Sequence, residues 1–191
     1  MREGSRLIYC YAVGQIVKRF MFDIYVKFCI FAMKKKTTLE LVEQSDKVSL
    51  YSISFAIDRT TEFEDFLRKF EQGATFNMDF QRIMYALSII LEKGALERYF
   101  RPEGKMNDRL CALPLDSGKI RLYCLRISDK ILIIGNGDYK LTATYEEDPK
   151  LYGYALDLQK FDSLLRKDIA DGIVTVEEKI LTGINDKEYY L

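Results

Sequence analysis

Two arginines set into an apolar run are the first residues of this chain that demand a chemical destination. Arg121 and Arg126 interrupt Ile120-Arg121-Leu122-Tyr123-Cys124-Leu125-Arg126-Ile127. A guanidinium cannot shed its charge, so each must reach solvent, a carboxylate or a phosphate. Ser128-Asp129-Lys130 follows as a tight polar turn and Ile131-Leu132-Ile133-Ile134 as a partner strand, which predicts an antiparallel β-hairpin. Strand alternation then places Arg121 and Arg126 on opposite faces, so one at most can line a concave surface. Carboxylates that would neutralise Arg121 structurally are at hand in Asp116, Asp129 and Asp138.

Composition removes whole classes of chemistry. The chain has 191 residues and a formal net charge of zero, enough for one ordinary core and no global signal for nucleic acid. Between Arg101 and Lys140, eight Lys/Arg stand against five Asp/Glu, so any basic surface is local. There is no histidine, which excludes Ser/His and Cys/His catalytic pairs and the common zinc sites. Cys10, Cys29, Cys111 and Cys124 lack paired spacing. Cys111 and Cys124 read as small buried hydrophobes in a reducing cytoplasm.

The elements that must position these groups follow from periodicity. Val48 to Ile57 alternates as a strand. Phe63, Phe66, Leu67 and Phe70 recur at helical spacing behind a Thr60 or Thr61 cap, with Gly73 as the stop. A second helix starts at Asn77 and carries Phe80, Ile83, Met84, Leu87, Ile90 and Leu91 to Lys93-Gly94. Arg98 to Asn107 reads as a polar loop, and Arg109 to Leu115 as a short strand ended by proline. Asp116-Ser117-Gly118 turns into the hairpin, and Gly135 to Lys140 leaves the sheet through a glycine-containing turn. Pro149 opens a helix bearing Leu151, Ala155, Leu158, Phe161, Leu164 and Leu165. The sum is an α+β fold: an antiparallel β-α-α-β-β-β sheet, a helical pair on one face and a C-terminal helix.

Residues 1–36 form an apolar and basic extension ahead of a domain over 47–166, and 167–191 a C-terminal helical tail with Thr175 as a cap. Lys18, Arg19, Asp23 and Lys27 interrupt the apolar stretch, so no run approaches the ~18 uncharged residues of a spanning helix. Three readings stay open: a segment upstream of a true start at Met33, an interfacial amphipathic helix with Phe20, Ile24, Phe28 and Phe31 on one face, or a membrane anchor.

The element order, with Gly118-Lys119-Ile120-Arg121-Leu122-Tyr123, Asp129-Lys130-Ile131-Leu132-Ile133-Ile134 and Gly137-Asp138-Tyr139-Lys140, resembles the RelE/HigB-like toxins of bacterial type II toxin-antitoxin systems over about Val48 to Arg166. The resemblance implies a cytoplasmic endoribonuclease that cuts mRNA on the ribosome and so inhibits translation, the ribose 2′-hydroxyl attacking the adjacent phosphate without metal or cofactor. It implies a cognate antitoxin, the ribosome and mRNA as partners. Arg121 matches the family's central-strand arginine and Lys140 its post-strand lysine. Tyr145 or Tyr139 would stand where some members use histidine, though an ordinary phenol is a poor proton shuttle. Arg109, Arg126 and Tyr139 are the expected RNA contacts, Arg109 one position early. The lysine pair of many relatives is here Lys140-Leu141. A non-catalytic binding module, or a relative acting on another target such as DNA gyrase, is the alternative.

Overall fold

A computed structural model of the chain describes residues 34–56, 60–71, 77–103, 108–114 and 118–191. The chain divides after Lys35, and the unit Lys36–Leu191 carries the elements below. The expected extension, Cys10, Cys29, the Gly73 helix stop and the Asp116-Ser117 turn lie outside the described residues. Among the described residues no helix is long and apolar enough to cross a membrane.

Among the described residues the fold is mixed α+β, with three helices and a mostly antiparallel sheet. Strand β1 (Lys36–Gln44) precedes β2 (Ser49–Phe55), followed by helices α1 (Glu62–Glu71) and α2 (Met78–Lys93). A 3₁₀ turn (Glu97–Tyr99), β3 (Arg101–Pro102), β4 (Leu110–Leu113), β5 (Ile120–Ser128) and β6 (Ile131–Tyr139) come next, then α3 (Pro149–Ala170), β7 (Thr175–Glu177), β8 (Ile180–Thr182) and β9 (Tyr189–Tyr190). The large sheet runs β3-β4-β5-β6-β2-β1-β9, and β7 and β8 pair as a separate hairpin. Only β2 and β6 pair in parallel, over Ser49–Ser52 and Ile131–Ile134.

Local chemistry explains the boundaries. Thr61 and Glu64 form a reciprocal cap at α1: the Thr61 N–H donates to Glu64 Oε2 at 2.8 Å and the Glu64 N–H to Thr61 Oγ1 at 3.1 Å. Asn77 Oδ1 accepts the Phe80 N–H at α2, and Asp148 Oδ1 accepts two N–H groups at α3 beside Pro149. Gly94, at φ 92°, ends α2 in a conformation that side chains resist.

Both sheet faces are covered. Phe63, Phe66 and Phe70 of α1 and Phe80, Ile83, Leu87 and Ile90 of α2 pack with Leu113, Ile120, Leu122, Cys124, Leu132 and Ile134. The other face gives Tyr51, Ile53, Ala112, Tyr123, Leu125 and Ile133 to Leu151, Ala155, Leu158, Phe161 and Leu165 of α3. Where β2 and β6 part, Ser52 Oγ donates to the Ile134 carbonyl (2.7 Å) and accepts the Phe63 N–H (3.2 Å), seating α1 in the gap. Lys69 then rivets α1 to β6 and α3, its ammonium donating to Asn136 Oδ1 (2.5 Å), the Gly137 carbonyl (3.0 Å) and the Tyr154 hydroxyl (2.8 Å).

Three sequence expectations are corrected. The unit begins with β1, ahead of the strand expected as first. Gly135 to Tyr139 continues β6 rather than leaving the sheet, because its glycines admit close neighbours: a Cβ on Gly137 would stand 1.9 Å from the Arg121 carbonyl oxygen, and one on Gly135 2.7 Å from Leu158. Beyond Ala170, where α3 ends, the C-terminal tail is not helical. Thr175, Val176, Ile180 and Thr182 favour extended backbone, and Glu178 at φ 50° turns β7 into β8.

Candidate active site

The candidate site is built around Glu103, a residue that sequence reading leaves in a polar loop. Pro102 holds the backbone extended, and the Glu103 N–H donates to the Leu110 carbonyl at 3.1 Å, extending the β3–β4 pairing by one residue. Arg101 and Glu103, two apart on extended backbone, share a side. Arg101 Nε accordingly lies 3.3 Å from Glu103 Oε1, and the Glu103 side chain is only 13% exposed. Burial pushes its carboxyl pKa up, while the cations Arg101, Lys140 and Arg121 oppose that rise and Glu146 adds to it. Arg121 and Lys140, from two different strand ends, thus act on one carboxylate.

Tyr145 completes the corner. Its ring meets Tyr123 edge to face, centroids 5.9 Å apart. Burial first, then the neighbouring Glu146, pushes the Tyr145 phenol up to about 12. It stays a neutral proton donor at any ordinary pH and cannot serve as a base. Burial raises Tyr123 as well.

Arg121 sits differently from its sequence expectation. Alternation with Ile120 and Leu122 puts it on the face of Tyr123 and Leu125, beneath α3, and it is 4% exposed. Its Nη1 donates to the carbonyls of Gly118 (2.8 Å) and Ile120 (3.1 Å). The guanidinium therefore organises the start of β5 and supplies a fixed positive field, rather than presenting an open fork to a phosphate. Lys140 is the more accessible cation; its Nζ donates to the Ala143 carbonyl at 2.6 Å.

The three expected RNA contacts lie elsewhere. Arg109 Nη1 is 3.4 Å from Asp162 of α3, a buried carboxylate that Arg166 Nε also reaches at 2.7 Å. Burial lowers the Arg109 pKa against the pull of Asp162, as in a structural ion pair. Arg126 donates Nε to the Ala95 carbonyl at 2.7 Å and pairs with Asp129, on the face opposite Arg121. Tyr139 packs edge-on to Phe70 and its hydroxyl accepts from Asn77 Nδ2 at 3.0 Å, which places it with the helical pair.

Chemically the corner offers a shielded carboxylate of raised pKa, one cation, Arg101, beside it, the charges of Lys140 and Arg121 around it, and a neutral phenol. That set can take a proton from a hydroxyl and stabilise charge on a phosphorus centre. One signal for Glu103 was present in the sequence: Arg101-Pro102-Glu103 places opposite charges at i and i+2 around a proline that enforces extended backbone. In comparison with known proteins, the chain matches no family model, no curated protein and no solved structure.

Proposed function

We propose that the Glu103 corner is a metal-independent RNA-cleaving site and that the chain acts as a toxin of the RelE/HigB kind, cutting mRNA on the ribosome in the cytoplasm under the control of a cognate antitoxin. The observation that carries this reading is the largely buried Glu103 carboxylate with Arg101 Nε 3.3 Å away, in a surrounding where the charges of Lys140 and Arg121 also lower its pKa and Glu103 in turn raises that of Tyr145. In it, Glu103 takes the proton of the ribose 2′-hydroxyl as that oxygen attacks the adjacent phosphorus. Lys140 and Arg101 stabilise the charge that accumulates on the phosphoryl oxygens, and Arg121 fixes the local field from below. Tyr145 is placed to give a proton to the departing 5′-oxygen. On this reading the stretch from β2 to α3 is the toxin domain, and β1 and β7 to β9 are additions to it.

The test is cleavage of a reporter mRNA in a cell-free translation reaction, with cuts mapped by primer extension, using the full chain and its Glu103→Gln and Lys140→Ala variants. Discrete cuts by the parent that vanish in Glu103→Gln and fall about tenfold or more in Lys140→Ala support the reading; cuts that persist in Glu103→Gln contradict it. The burial of Arg121 favours one alternative, a non-catalytic module that blocks its target by binding. Translation arrest without cuts, unchanged in both variants, is its signature.

A further inference from the structure

The outer face of α2 carries a feature that the Glu103 corner does not use. Tyr85 is 69% exposed, far above the usual fate of an aromatic side chain. Beside it the 3₁₀ turn holds Arg98 over the Tyr99 ring, 5.5 Å from its centroid. Between the helix and the turn lies a depression of about 230 Å³, lined chiefly by Ala86, Ile89, Tyr85, Tyr99, Arg82 and Arg98. Among the described residues no acidic side chain lines it. Arg82 pairs with Asp79 at its rim (3.3 Å), whereas Arg98 has no carboxylate partner among the described residues.

We propose that this groove binds single-stranded RNA, a base stacking on Tyr85 above the Ala86 and Ile89 floor while Arg98, steadied on Tyr99, engages a flanking phosphate. Flat π faces interleaved with guanidinium groups around an apolar floor suit an unpaired base and its phosphate. The exposed Tyr85 ring offers a stacking face, and the partly buried Tyr99 ring backs the Arg98 guanidinium. At the end of the groove Asp79, which pairs Arg82, also accepts the Lys119 N–H at 2.9 Å. The proposal rests on the RNA-cleaving reading for its ligand class, and binding is read separately from cutting.

The experiment is fluorescence anisotropy of a fluorescein-labelled 12-nucleotide single-stranded RNA with the full chain, compared with the same sequence as a duplex. Tyr85→Ala and Arg98→Ala are each expected to weaken single-strand binding about fivefold or more, and Tyr85→Phe to retain it. Unchanged affinity in both alanine variants overturns the proposal, as does equal binding of the duplex. So does capture of an amphipathic Leu/Glu peptide through Tyr85 with no RNA binding, which would assign the groove to a protein partner. Tyr85-dependent binding without any mRNA cuts would sustain the groove and remove the cleavage reading; cuts with Tyr85-independent binding would do the reverse.

Discussion

Arg121 and Asp138 face each other across the β5–β6 ladder, and each has a different anchor. Arg121 Nη1 turns back to the Gly118 and Ile120 carbonyls, while the Asp138 carboxylate pairs with Lys150 of α3 and lies 3.9 Å from Lys69 of α1. The acid fastens helices to the sheet, and the arginine fastens the strand that leads to the candidate site.

Arg121→Met should therefore show up first as instability. The substitution keeps much of the aliphatic volume but leaves two carbonyls without their donor, a loss of about 1–3 kcal/mol for unsatisfied buried groups. Urea denaturation of the full chain measures it. A change below about 0.5 kcal/mol would mean that the guanidinium has no organising role.

Gly137→Ala tests the close approach beneath Arg121. The added Cβ would meet the Arg121 carbonyl oxygen at 1.9 Å and the Leu122 Cα at 2.9 Å. Both are backbone atoms that cannot swing aside, so the β5–β6 ladder must open locally. We expect a loss of roughly 2 kcal/mol or more, with amide exchange accelerated at Leu122 and Gly137. Exchange unchanged at both amides would refute the contact.

Acid stability should depend on Asp138. Burial works to raise its pKa, but Lys150, the Tyr139 N–H and Lys69 outweigh it, and the net shift is downward. A depressed carboxylate contributes stability that is full above its unfolded-state pKa and lost as pH falls through its folded-state value. Glu62 and Glu103, raised chiefly by burial, act with the opposite sign and weaken the fold as pH rises through the carboxylate range. Asp138→Asn should thus flatten the acid side of the stability profile, read as melting temperature against pH. A profile parallel to the parent's would contradict this.

Much of the architecture was legible because apolar periodicity was strong. Phe63, Phe66 and Phe70, the α2 stripe and the α3 stripe mark helices with one buried face, and Ile120 to Ile134 a buried hairpin. What stayed hidden has particular causes. Among the described residues β1 pairs on its outer side only at Lys36 and Thr37, and its exposed Glu40 and Glu43 blur the period of two. Gly135 and Gly137 look like turn residues until Leu158 and the Arg121 backbone explain them. The β7–β8 hairpin contains Glu177-Glu178-Lys179, which has helical character by composition, but Glu178 adopts positive φ. The sequence singles out Arg121, Lys140 and Tyr145 as candidates but not Glu103. Its environment is assembled by residues up to 43 positions away, which no local pattern records. Arg109 and Arg126 were read as ligand contacts because a sequence does not display the Asp162 and Ala95 partners that satisfy them.

The most direct measurement is the pH profile of mRNA cleavage by the full chain and by Glu103→Gln. A general base whose pKa burial has raised must give cleavage that rises as Glu103 deprotonates and levels off beyond it. The expected result is that rising limb in the parent and its loss, with cleavage down about 100-fold or more, in a Glu103→Gln protein that melts like the parent. Cleavage by the folded variant at the parent's rate and with the parent's profile would show that Glu103 is not the base.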